Sequence, residues 1–369
     1  MRVKLKDITK FSKGTQINGK NLIDDGAYSY LNGGINPSGK WNEFNVAENT
    51  VTISEGGNSS GYVNYMNEAF WCGAHCYYLY DGPKNSKYLY YALKSQQERL
   101  FRIRSGACMP NIKKSDLGNF IIEYEEDETR QEEVVKVLEK CELLIEDYNK
   151  KLALLDEAVR ARFVEMFGDP VTNDMLWNTD VLKDICTKIG SGSTPRGGKE
   201  SYIDEGISLI RSMNVHNAYF EYKDLAHITL DQAEKLNNVV VEHDDLLFNI
   251  TGASVARCCV VPSDVLPARV NQHVCILRCR EKINPIFLQG LLVNENYQGK
   301  LLQIAKSGAT REAINKQQLE SLEIMIPPLE LQNQFASFVQ EIDKSRSRIQ
   351  KSLEASQELF DSLMQEYFG

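Results

Sequence analysis

The sequence predicts an α+β chain with two globular parts in a pseudo-twofold tandem repeat, separated by two long antiparallel coiled-coil helices. Three observations predict it. Residues 129–168 carry a sustained coiled-coil seam, the last 42 residues carry a weaker one, and short segments of the first half return in the second at offsets of 177 to 202. At 369 residues, two or more domains are expected, and 42% apolar content supports sizeable cores.

The first globular part, residues 1–125, reads as strand-rich. Residues 49–53 alternate before a Gly/Ser/Asn turn at 55–61. Residues 88–102 have the spacing of an amphipathic helix.

The first long helix falls within 126–168. Its apolar residues Val134, Leu138, Cys141, Ile145, Tyr148, Leu152, Leu155 and Val159 are spaced alternately four and three apart. That is the a/d stripe of a coiled coil over more than three heptads. The intervening positions are dense in Glu, Asp and Lys, as solvated flanks should be. Thr129 and Glu132 are placed for a capping box at the start, and Gly168 before Asp169-Pro170 stops the helix. Such a stripe needs a partner.

The second globular part, residues 169–327, shows strand-like runs at 244–250, 258–261 and 273–277, and an amphipathic helix at 285–304. Residues 328–369 then supply the partner helix. Its stripe runs through Phe338, Ile342, Ser345, Ile349, Leu353, Ser356, Phe360, Leu363 and Tyr367, with serines at two core places. Pro327-Pro328 sets a rigid start.

The repeat is visible in short words. Leu5-Lys6-Asp7-Ile8 returns as Leu182-Lys183-Asp184-Ile185, an offset of 177. Lys13-Gly14-Thr15 corresponds loosely to Gly192-Ser193-Thr194. Ser105-Gly106-Ala107 matches Ser307-Gly308-Ala309 at an offset of 202, and Phe163 to Gly168 returns as Met364 to Gly369. The second copy therefore carries 25 extra residues between the first and later landmarks. Two copies are too few for a solenoid but enough for a pseudo-twofold molecule in which each long helix covers the other's stripe.

Charge is uneven. The net −9 divides as +3 over 1–125, −5 over 126–168, −4 over 169–327 and −3 over 328–369. The total argues mildly against a nucleic-acid binder, although a local basic cleft on the globular parts stays open. Nine scattered cysteines read as reduced thiols of a cytoplasmic protein. No run reaches the roughly 20 apolar residues of a membrane span, and the N-terminus lacks the apolar core of a signal peptide.

Catalytic patterns are scarce. Gly190 to Lys199 is Gly-rich, but its spacing and Pro195 spoil a phosphate-cradling loop. It reads as a polar loop able to touch a nucleic-acid phosphate. Cys72, His75 and Cys76 lack a second pair at zinc spacing, and Cys258-Cys259 reads as buried thiols, so no metal site is expected. The five histidines form no HExxH, and there is no GxSxG elbow. Nor is there an Asn/Asp-Pro-Pro-aromatic segment of the kind that grips a flipped base in DNA amino-methyltransferases.

Two polar, Gly-punctuated surfaces with interspersed cations remain. Candidate DNA contacts in the first copy are Lys13, Gly14, Thr15, Lys40, Asn58, Tyr62, Arg102, Arg104 and Lys113. In the second they are Ser193, Thr194, Arg196, Lys199, Arg211, Asn214, Arg257, Lys306 and Arg311. Arg suits the two acceptors of guanine and Asn suits adenine, whereas Lys and backbone amides suit phosphates. The plain alternative for each is an ordinary solvated charge.

With those residues in view, the chain resembles the specificity subunit of type I restriction–modification systems. The resemblance rests on Gly192-Ser-Thr-Pro195, Asn271-Gln272, Ser307-Gly-Ala-Thr310, Ile324 to Leu329 with Gln332 or Gln334, and Arg162 to Pro170. The first copy departs more: Lys13-Gly14-Thr15 lacks the following Pro, and Met109-Pro110-Asn111 stands where the second copy has Thr-Arg-Glu.

The resemblance implies two target-recognition domains, each reading one half of a bipartite site in double-stranded DNA, with the helices as spacer. It implies two methyltransferase subunits that dock on the helices and supply S-adenosylmethionine and catalysis, and restriction subunits, where present, that bring ATP and Mg. On that reading the chain is itself non-catalytic. A helix of about 40 residues is about 60 Å long, which caps the half-site separation near about 18 base pairs. The alternatives are a specificity subunit of a type II or methylation-only system, or a coiled-coil scaffold presenting two non-DNA binding domains.

Overall fold

The computed structural model describes residues 1–106, 109–195, 197–306 and 312–369, and for Lys199 the backbone only. The chain divides into two compact units. Unit 1 comprises Met1–Lys150 with Gln350–Gly369, and unit 2 comprises Lys151–Ile349. Each unit thus holds one globular part, a portion of the first long helix (Glu128–Phe167) and a portion of the second (Leu329–Phe368).

In unit 1, the entering strand Arg2–Lys4 pairs antiparallel with the leaving strand Ile121–Glu123, closing the globular part at its root. Leu5–Ile8 forms one helical turn with Leu5 fully buried. An antiparallel sheet follows, in the order Lys10–Lys13, Cys76–Tyr80, Thr50–Ser54, Val63–Met66. A second, three-stranded sheet sets Tyr28–Leu31 parallel to Phe70–Cys72 and antiparallel to Gly39–Trp41. Helices Ser86–Lys94 and Gln97–Arg102 cover the core.

Unit 2 repeats this plan. Thr179–Val181 pairs with Glu323–Met325. Leu182–Ile185 forms the same helical turn, and the main sheet runs Cys186–Ser191, Val274–Cys279, Leu246–Asn249, Cys258–Val260. Ile207–Ile210 lies parallel to Ala268–Val270, as its counterpart does in unit 1. Most of the extra length falls in one place: Tyr28 to Thr50 spans 22 residues, and Ile207 to Leu246 spans 39. Ala226–Ile228 is the counterpart of Gly39–Trp41, and the added chain forms the hairpin Val215–His216/Tyr219–Phe220, the helix Leu230–Glu234 and a fourth strand, Val240–Val241, on the second sheet.

The long helices follow the stripe. Val134, Leu138 and Cys141 are buried, and Ile145, Tyr148, Leu152, Leu155 and Val159 are half-buried. Phe338, Ile342, Ile349, Leu353, Phe360 and Leu363 are half-buried too. In unit 1 the start of the first helix meets the end of the second, with Arg130 over the Tyr367 ring at 5.9 Å. In unit 2 the end of the first meets the start of the second, with Arg346 and Asp156 at 2.6 Å. The pairing is therefore antiparallel within each unit.

Several local readings need correction. The first helix is capped two residues earlier than Thr129, because the Asp127 carboxylate accepts from the amides of Thr129 and Arg130. The expected helix at 88–102 is two, Ser86–Lys94 and Gln97–Arg102, and the one at 285–304 is Pro285–Val293 and Glu295–Lys306. Asn294 makes the second break, since its side chain accepts from the amides of Asn296 and Tyr297 and caps the new helix.

A buried glutamine pins the start of each long helix. In unit 2 the Gln332 amide donates to the carbonyls of Pro327 (2.8 Å) and Lys282 (3.3 Å) and accepts from Asn284 N (2.9 Å). In unit 1 Gln131 donates to Glu125 O at 2.6 Å and Tyr124 Oη at 3.0 Å. Gln332→Leu strands buried backbone groups at about 1–3 kcal/mol each. Urea unfolding should show a loss of about 2–4 kcal/mol, against little for the exposed neighbour Asn333→Leu.

Candidate nucleic-acid interface

Gly14 and Gly192 do the same job in the two copies. A Cβ on Gly14 would sit 1.8 Å from Cys72 O, and one on Gly192 would sit 1.8 Å from Val270 O. Cys72 and Val270 end equivalent strands. Each glycine lets the turn after the first main strand close onto the second sheet, which places Thr15 and Ser193 at equivalent positions.

In unit 1, Lys13 and Lys113 line one cavity of about 550 Å³ together with Lys114 and Asn111. Lys13 is engaged by Glu55 at 2.7 Å, and Glu55 also meets His75 at 3.4 Å. Arg104 donates to Phe101 O (2.7 Å) and to Asn58 O (3.3 Å), which joins two candidates. Tyr62 lies under the Lys94 ammonium at 3.9 Å. Thr15, Lys40, Asn58, Arg102 and Lys113 are exposed. Arg102 lines a separate hollow beside Arg99.

In unit 2, two candidates are spent internally. Asn214 is fully buried: its Oδ1 accepts from Arg211 N, and its Nδ2 donates to Glu221 O and Lys223 O. It presents no edge to a base. Arg211 donates to Asp224 O and lies 5.5 Å over the Tyr202 ring. Both residues fix the turn that launches the hairpin at 215–220. Ser193 and Lys306 are exposed. Arg196, the Lys199 side chain and Arg311 lie outside the described residues.

The remaining candidates, Thr194 and Arg257, belong to one polar ridge. Thr194 Oγ1 bonds Gln272 Oε1. Gln272 Nε2 meets His273 Nε2 at 3.2 Å, and His273 Nδ1 meets Thr251 Oγ1 at 2.6 Å. Thr251, His273 and Arg257 line the same cavity. Asn271 anchors the turn, accepting from His273 N through its side chain and from Gly192 N through its carbonyl. Gln272, His273 and Thr251 join this ridge although none of them was among the candidate contacts. The word Asn271-Gln272 was a usable signal, but nothing in it shows the approach of Thr251.

The ridge is built for hydrogen bonding and charge. Thr251 and His273 are within nucleophile–base reach, but the other ring nitrogen meets an amide, so the orienting anion of a hydrolytic triad is missing. Burial pushes the thiols of Cys259 and Cys275 up to about 12 and that of Cys258 well above its usual value, so they stay protonated at neutral pH. Among the described residues, no three His, Cys, Asp or Glu side chains gather as metal ligands, and no helix is long and apolar enough to cross a membrane.

Comparison with known proteins points one way. The family model for the type I restriction modification DNA specificity domain matches residues 1–156 and 175–357. A putative type I specificity subunit of Mycoplasma pneumoniae is 36% identical over 210 residues, covering 54% of this chain and 55% of that protein. A putative type I specificity subunit of Mycoplasma genitalium is 34% identical over 163 residues, covering 40% and 42%. The chain thus matches about half the length of these curated relatives or less. In fold, it is similar to the crystal structure of a type I restriction–modification S subunit from M. genitalium, with a TM-score of 0.71 at 19% identity, covering 100% of this chain and 96% of that one.

Proposed function

Because the chain belongs to the type I restriction modification DNA specificity family, we propose that it is the sequence-reading subunit of a type I restriction–modification complex. It reads a bipartite site in double-stranded DNA, one half-site per copy. The target-recognition domains span 1–125 and 169–327, and the helices at 126–168 and 328–369 act as spacer between them. Two methyltransferase subunits dock on the helices and bring S-adenosylmethionine and the methyl-transfer chemistry. Restriction subunits, where they join, bring ATP and Mg. The chain itself contributes no catalysis, and its place of action is the cytoplasm.

The observation that carries this reading is the repeated architecture. Two globular parts share strand order, the helical turn at Leu5 and Leu182, and the close-approach glycines Gly14 and Gly192. Two like reading heads fit a target with two separate halves. The differences concentrate between the equivalents of Tyr28 and Thr50, where the heads would differ in what they read. The acidic helices suit protein partners or solvent better than phosphate.

The test is the methylome of cells with and without this chain. One split motif, two short half-sites around a fixed gap, should lose methylation when the chain is removed. An unchanged methylation pattern would refute the reading.

A further inference from the structure

The cavity that Arg257 enters in unit 2 has a volume of about 550 Å³, and no carboxylate lines it. Arg257 donates from Nη1 to His216 Nδ1 at 3.3 Å. An arginine is always a donor, so Nδ1 must be the bare nitrogen of a neutral ring. The rest of the ring agrees: Nε2 meets the Met213 carbonyl at 3.2 Å, where it can only donate. The ring is also stacked on Tyr219, with centroids 4.6 Å apart and planes 12° apart. His216 is therefore fixed in position and in tautomer.

This is an unusual way to hold an arginine. Arg278 of the same unit is committed to Asp245 and Glu242 at 2.5–2.9 Å and to the Val240 carbonyl at 3.0 Å. Its fork and its charge are used up. Arg257 is held by a neutral acceptor, so its charge is undiminished. Among the described residues no side chain but His216 takes a hydrogen bond from its guanidinium. The Nε–Nη2 edge is left for a ligand, in a rotamer set before the ligand arrives. Thr251 and Ser254 place hydroxyls on the same cavity wall, and the chain from Thr251 through His273 and Gln272 to Thr194 makes that wall stiff.

We infer that Arg257 reads a guanine through its O6 and N7 in the major groove, with His216 as the residue that positions the guanidinium. The inference rests on the DNA-recognition reading above. Two acceptors side by side on guanine match two parallel donors of the fork. A phosphate would accept from the same donors, but it does not need an arginine fixed in one rotamer by a ring that is itself fixed.

The test uses the full chain in complex with its methyltransferase subunits and a randomised bipartite DNA library. The wild type should enrich a split motif with a guanine at one position of one half-site. In Arg257→Ala the preference for that guanine should fall about 5- to 150-fold, with every other position and the other half-site unchanged. Arg257→Lys, which keeps the charge but not the fork, should relax the same position. His216→Asn, which keeps an acceptor, should retain the preference better than His216→Leu, which has none; this order separates positioning from mere support of the fold. Uniform weakening across all positions, with the salt slope reduced by about one, would mark a phosphate contact and overturn the proposal. Unchanged specificity in Arg257→Lys and His216→Leu would overturn it as well. If the wild type enriches no split motif, the failure lies with the DNA-recognition reading and the guanine site falls with it.

Discussion

Replacing Phe167 by alanine is expected to destabilise unit 2 by about 3–5 kcal/mol. Phe167 is fully buried and sits in a quartet with Phe163, Phe287 and Phe335, at centroid distances of 5.2, 4.8 and 5.7 Å. Phe163 and Phe167 come from the end of the first long helix, Phe335 from the start of the second, and Phe287 from the globular part. The quartet joins three elements, and no neighbouring side chain can collapse into the space a lost ring would leave without breaking another pair. The measurement has a built-in reporter: Trp177 is the one tryptophan of unit 2, and its indole donates to Phe167 O at 3.0 Å. With Trp41 and Trp71 replaced by Phe, urea unfolding followed by Trp177 emission reads unit 2 alone. The control is Leu154→Ala on the same helix, 61% exposed, which should change stability by less than about 0.5 kcal/mol. Equal effects from the two variants would contradict the quartet's role.

That quartet also shows where sequence reasoning reached and where it stopped. The a/d spacing found the covered face from Val134 to Val159, because heptad burial is a local property of a helix and needs no knowledge of the partner. It did not find Phe163, Phe167, Phe335 or Phe368. At the helix ends the globular parts bury a second face, and that contact joins residues far apart in the chain. Strand positions such as 246–249 and 258–260 were legible from short apolar runs. The split at Asn294 was not, because an asparagine within an amphipathic pattern declares itself a cap only when the next helix turns away. The candidate interface followed the same division. Residue type nominated both Asn214 and Arg257. Only the fold shows that Asn214 is consumed by the turn it holds, and that Arg257 stands at a cavity with a neutral histidine behind it.

The two units, each taken by itself, also predict how the chain can be recut. In unit 2 the helix end is fixed by Gly168 N donating to Val164 O, and the first strand is entered through Asn178, whose carbonyl accepts from Ile326 N. In unit 1 the corresponding bonds are Gly369 N to Gln365 O, and Tyr124 N to Met1 O. Gly369 and Met1 therefore occupy the places that Gly168 and Asn178 occupy in unit 2. In unit 2 nine residues, 169–177, bridge Gly168 and Asn178. A nine-residue copy of that bridge between Gly369 and Met1 has the right reach by construction, since it spans the same gap in unit 2. A chain joined there and opened between Gly168 and Asn178 should fold with both main sheets intact, losing no more than the contacts of the opened bridge. Those contacts are modest: the Asp169 carboxylate accepts from Val171 N and bonds Asn296, and Trp177 donates to Phe167 O. The expected loss is about 1–3 kcal/mol, read by urea unfolding of the permuted chain. Two coexpressed pieces, 1–168 and 178–369, separate harm done by the cut from harm done by the join. If the pieces assemble and the permuted chain does not fold, the equivalence of Gly369 and Met1 to Gly168 and Asn178 is wrong.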